Sequence, residues 1–179
     1  MFAIQNIENF MFVYVFAIMH EISHMLVAIL LKMNVYEIEL LPIGVNAKYI
    51  GKNTYLKELI ISLAGPIASL LFAVILKNEV FKMMNLSIAI FNLIPIKPFD
   101  GGKILENICV IFCGVKIANK VLMILSKVCL NLLLILSIFL VIWGENYYFI
   151  ILIIYMICII KKESENAKFN AIINYLQID

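Results

Sequence analysis

The sequence contains no arginine: its 14 basic side chains are all lysine. Recognition of phosphate and nucleic acid favours arginine forks and dense basic patches, so a nucleic-acid partner is excluded. Charge of either sign is scarce, with 15% of the 179 residues charged against 64% hydrophobic. Ordinary soluble domains are roughly 45–50% apolar, so the solvent for most of this chain is lipid. The four cysteines, Cys109, Cys113, Cys129 and Cys158, show no CxxC spacing. A disulfide framework and a zinc ribbon are thereby excluded, and the thiols read as reduced packing groups. The apolar start has no basic flank and no small-residue cleavage site, so it is expected to stay in the mature protein rather than leave as a signal peptide. Internal repeats and low-complexity tracts are absent too, and one helical domain fits the length.

What the sequence does have is long apolar runs. Five stand out, at about 10–31, 56–76, 83–104, 120–142 and 146–160, most near the roughly 20 residues that a spanning helix needs. In hydrocarbon each segment must satisfy its own backbone, so such runs mean helices. The expected fold is an all-α integral membrane protein with about five transmembrane helices over residues 1–160, followed by a cytoplasmic amphipathic tail over 161–179. Placing 32–57 in the cytoplasm also puts 103–127 and 161–179 there, and most lysines then lie inside. Tyr36 to Leu40 alternates apolar with charged residues before Pro42 and Gly44, which predicts a small β-element at the membrane interface.

The chain's only two histidines stand four apart in His20-Glu21-Ile22-Ser23-His24. On a helix their Cβ atoms lie about 5–6 Å apart on one face, within reach of a single zinc at about 2.0–2.1 Å. In this HExxH pattern the neighbouring carboxylate, Glu21, is the catalytic base for water activated beside the metal. The bland alternative, two histidines hydrogen-bonded inside a bundle, must explain why three ionisable groups sit in an apolar run at a cost of several kcal/mol.

Catalytic zinc usually takes three protein ligands, and Asp100 is the third candidate. It lies in Asn92-Leu93-Ile94-Pro95-Ile96-Lys97-Pro98-Phe99-Asp100-Gly101-Gly102, where two prolines and two glycines must interrupt the third apolar segment. A broken helix at membrane depth survives only under the cover of protein or a water cavity, which suits an active site. The competing reading is an ordinary turn with an Asp at its helix N-cap. Asn92 could hydrogen-bond substrate or brace the break, and Lys97 could snorkel along the cavity. The Ala64-Gly65-Pro66 step reads as close helix packing ahead of a kink lining the cavity.

Together HEISH, AGPIAS and NLIPIKPFDGG resemble, in order and spacing, the site-2 protease family of intramembrane metalloproteases (peptidase M50), with a particular likeness to its sporulation branch. The resemblance covers roughly residues 10–176. It implies one zinc ion per chain held by His20, His24 and Asp100, with Glu21 as acid/base. It also places Asn92 and Pro95 in the family's Asn-Pro-Asp-Gly signature, where they would bind substrate. The implied substrate is a membrane-associated protein, for the sporulation branch a sigma-factor pro-protein. Regulatory membrane proteins are the further partners, and the location is a multi-pass position in the cell membrane, the forespore outer membrane in that branch. Two departures stand against it, since the chain has room neither for an additional helix ahead of HEISH nor for a nucleotide-sensing CBS domain. A non-catalytic scaffold or chaperone on the same fold is the alternative function, and a metal transporter is a third, disfavoured because the polar groups cluster in two segments.

Overall fold

The computed structural model describes residues 2–40, 45–50, 55–96 and 99–144, with Ile154, Ile157 and Cys158. Five helices and one hairpin follow in chain order: α1 (Phe2–Leu30), β1 (Asn34–Leu40), β2 (Val45–Ile50), α2 (Tyr55–Ile75), α3 (Glu79–Asn92), α4 (Asp100–Cys113) and α5 (Val115–Gly144). Among the described residues three stretches, Met11–Leu30, Tyr55–Ile75 and Val115–Leu136, are long and apolar enough to cross a membrane. Large hydrophobic side chains such as Leu30, Val74 and Ile135 lie exposed along these helices, whereas His20, Ser69, Asn85 and Asp100 are buried. A soluble protein sorts its residues the other way. Lipid on the outside and polar chemistry inside account for this inversion, and the chain is a membrane protein.

The expected count of five spans is not confirmed among the described residues, where three helices are long and apolar enough to span, and the third segment is interrupted as its prolines and glycines imply. Segment 83–104 is not one helix: it holds the end of α3 and the start of α4, helices of 14 residues each and so about 21 Å long at 1.5 Å per residue. Hydropathy records composition and is blind to the prolines that divide the segment. The supposed cytoplasmic loop 103–127 is also helical, made of most of α4 and the first half of α5, with Gly114 turning between them at φ 82°. That left-handed conformation suits glycine, which has no Cβ to clash. The fifth segment, 146–160, lies almost wholly outside the described residues, as do the tail 161–179, Pro42, Gly44 and Lys97.

Capping explains the other boundaries. At the end of α1, Met33 N–H donates to Ala28 C=O and Lys32 N–H to Ile29 C=O, both at 2.9 Å. This is a Schellman closure, with Lys32 in the left-handed position at φ 56°. Met33 then packs with Ala28 and Ile61, tying α1 to α2. Asn78 caps α3, its Oδ1 accepting from Val80 N–H at 2.9 Å and Phe81 N–H at 3.3 Å. The hairpin is antiparallel from Asn34↔Ile50 to Leu40↔Val45, with a bulge between Val35 and Glu37.

Helix α2 is central, packed against α1, α3 and α4, while α4 leans on α5. Ile96 and Phe99, from the break between α3 and α4, pack with Leu130 of α5. Ser126 Oγ–H donates to Pro95 C=O at 3.4 Å. The irregular backbone is thus held inside protein, as membrane depth requires.

Candidate metal centre

Three helices converge on one point. His20 and His24 project from one face of α1, the stripe that four-residue spacing creates. Asp100 opens α4, immediately after the break. The Nε2 atoms of the two histidines lie 3.3 Å apart, and Asp100 Oδ2 is 3.0 Å from His20 Nε2 and 3.1 Å from His24 Nε2. All three residues are buried.

Their hydrogen positions follow from the outer partners. His24 Nδ1 lies 2.7 Å from Ile61 C=O, which can only accept, so Nδ1–H is the donor and Nε2 of the neutral ring presents a lone pair. His20 Nδ1 faces Ser69 Oγ at 2.9 Å, compatible with the same tautomer. Two imidazole lone pairs and a carboxylate oxygen then point at one another, an arrangement that a cation stabilises. Ligand atoms of a tetrahedral zinc with bonds of about 2.0–2.1 Å lie about 3.3 Å apart, close to the three separations observed. The donor set therefore fits zinc, with outer contacts of the kind that fix ligand tautomers.

Gly65 of α2 makes room for this cluster. A Cβ built there would fall within 2.5 Å of His20 Nε2 and closer still to His24 Nε2. The residue thus borders the site, where the sequence had favoured plain helix packing. Pro66 follows inside α2, removing the bond to Ser62 C=O and loosening that turn. Gly101 performs a similar service for the break, since a Cβ there would collide with the Leu93 and Ile94 carbonyl groups.

Glu21, half-buried, follows His20 on α1 and is not among the three converging donors. Asn92 donates from Nδ2 to Ile88 C=O of its own helix at 3.0 Å, and Pro95 offers its carbonyl to Ser126. Ser69 and the Ile61 carbonyl were not singled out from the sequence, and Gly65 was read there first as helix packing. The signal was present, because Ser62, Gly65, Pro66 and Ser69 form a buried stripe of small residues at helical spacing.

The profile of peptidase family M50 matches residues 78–136, which hold Asp100 but not the histidines. A site-2 protease from Methanocaldococcus jannaschii superposes with a TM-score of 0.61 at 27% identity, over 82% of this chain and 73% of that one. The chain resembles the M50 site-2 proteases in fold and, over residues 78–136, in its family profile. Two curated relatives agree with this placement. A zinc metalloprotease of M. jannaschii is 32% identical over 114 residues, 55% of this chain and 33% of the relative. Stage IV sporulation protein FB of Bacillus subtilis is 33% identical over 102 residues, 49% and 35% respectively. The chain thus spans about a third of the length of the curated relatives it matches.

Proposed function

We propose that this site-2 protease-family chain is an intramembrane zinc metalloendopeptidase of the HExxH type. The observation that carries the proposal is the meeting of His20 Nε2, His24 Nε2 and Asp100 Oδ2 within hydrogen-bond distance, from helices 76 to 80 residues apart in sequence. Zinc held by these atoms would polarise the scissile carbonyl and make water nucleophilic near neutral pH. Glu21, beside the first ligand, takes the proton from the attacking water and returns it to the leaving amine. The Nδ1 bonds to Ile61 and Ser69 hold both rings with Nε2 inward, and the surrounding helices keep bulk water out.

The substrate class is a membrane-associated protein, and the lysine distribution supports a site opening toward the cytoplasmic side, with the hairpin at that interface. A two-stranded sheet has two open backbone edges, and the β1 edge over Tyr36–Leu40 could pair with an unwound substrate and present its peptide bond in regular register. Asn92 and Pro95, in the segment leading to Asp100, are the candidates to contact that strand. The likeness to the sporulation protein supports a sigma-factor pro-protein, with regulatory membrane proteins as further partners, as the first substrate to try. Co-expression of the chain with membrane-tethered pro-proteins tests the reading. Cleavage by wild type and its loss in Glu21→Gln, with zinc retained, is the expected result; cleavage persisting in Glu21→Gln would sink it.

A further inference from the structure

One buried polar atom plays no part in the chemistry above. Asn85 of α3 is fully buried; its Nδ2 donates to Phe81 C=O at 2.9 Å, and its Oδ1 has no hydrogen-bond partner. Leaving such an acceptor unmatched costs about 1–3 kcal/mol, and valine or leucine would fill the position without that cost.

Two independent registers place Asn85 at the depth of His20. Helices α2 and α3 form an antiparallel hairpin turning at 76–78, so Ser69, six residues before Ile75, stands level with Asn85, six residues after Glu79. Both side chains lie on the buried faces of these neighbouring helices. From the other side, Phe81 packs on Phe12 and Phe16 of α1 at ring-centre distances of 4.6 and 5.5 Å. One turn further along both helices, Asn85 comes level with Phe16 to His20.

The hydrogen count between these groups is incomplete in a way that Asn85 resolves. When His20 Nε2 serves as a ligand, Nδ1 carries the hydrogen and donates to Ser69 Oγ. The hydroxyl hydrogen of Ser69 then needs an acceptor, and Asn85 Oδ1 is an acceptor in need of a donor. We propose that Asn85 is a positioning residue for the metal site, the end of a buried chain from His20 Nδ1 through Ser69 Oγ to Asn85 Oδ1, closed through one water. The chain fixes the Ser69 hydroxyl as acceptor toward His20 and so holds the imidazole in its metal-binding tautomer.

The inference rests on the zinc reading of the site, and the test separates the two. Zinc affinity of the detergent-purified chain is measured by competition with a chromophoric chelator for wild type, His20→Ala, Ser69→Ala, Asn85→Ala, Asn85→Leu and the Ser69→Ala/Asn85→Ala double variant. Outer-shell losses typically weaken metal binding about 10- to 100-fold, and a weakening near tenfold is expected for either alanine variant. The double variant should bind as Ser69→Ala does, because the second substitution removes nothing further. Asn85→Leu guards against misfolding: it keeps the volume, should melt no lower than wild type and should still bind zinc weakly. Wild-type affinity in the Asn85 variants, or losses that multiply in the double variant, would overturn the inference alone. Failure of the wild type to bind zinc any better than His20→Ala would overturn the metal reading and the inference with it.

Discussion

At the scale of single residues, the site is defined as much by what must stay small as by what must bind. Gly65 lies inside a 21-residue helix, where alanine would ordinarily add about 1 kcal/mol of helix stability. Here the added methyl would occupy the space between the two Nε2 atoms. Gly65→Ala is therefore expected to fold but to weaken zinc binding by more than about 100-fold, beyond the usual range of outer-shell changes. Zinc content by elemental analysis, beside a melting curve, checks both halves. Glu21→Gln should do the reverse, keeping zinc while lowering the cleavage rate at least about 100-fold, since general acid–base catalysis contributes 10²–10⁴. The convergence of His20 and His24 was legible in the sequence because rare residue types at an exact helical interval carry their own geometry. Ser69 was not, and Gly65 only as one of two readings, because a small residue on a helix announces a close approach without saying to what.

At the scale of elements, the informative features are the ends and breaks of helices. The interruption before Asp100 could be read from Pro95, Pro98, Gly101 and Gly102. The consequence for counting spans could not, because α3 and α4 are each apolar enough to merge in a hydropathy window. Residues 103–127 misled for the opposite reason: Lys103, Lys116, Lys120 and Lys127 suggest a loop, yet Lys103 is exposed on α4 and Lys120 on α5. The Schellman closure of α1 offers a test of this level. Lys32 holds a left-handed conformation at φ 56°, which costs a residue with a Cβ about 1–2 kcal/mol. Lys32→Gly should raise unfolding stability in detergent by about 1 kcal/mol and leave zinc affinity unchanged, read by thermal or denaturant unfolding. A stability loss instead would mean that the lysine side chain contributes more than the backbone strain removes.

At the scale of the whole molecule, the metal site joins parts of the bundle that have little else in common. Helix α2 packs on α1, on α3 and on α4, whereas α1 is not among the main packing partners of α4. The link between α1 and α4 is the cluster of His20, His24 and Asp100, three donors that face one another and need a cation between them. A ligand that binds only the assembled site stabilises it by RT ln(1 + [L]/Kd), about 2.7 kcal/mol at a hundredfold excess over Kd. Zinc should therefore raise the melting temperature of the metal-stripped wild type in a saturable way, and a chelator should reverse the gain. Asp100→Asn, which replaces an anionic ligand by a neutral amide, should lose most of that response. Hydrogen exchange should locate the effect. On chelation, the amides of Ile94, Ile96, Phe99 and Gly102 and of the α1 turn around His20 should lose protection, while the hairpin contact of α2 with α3 keeps its own. Uniform loss across all helices would show that zinc holds the entire bundle together, and no loss anywhere would show that the cluster is not where the metal binds.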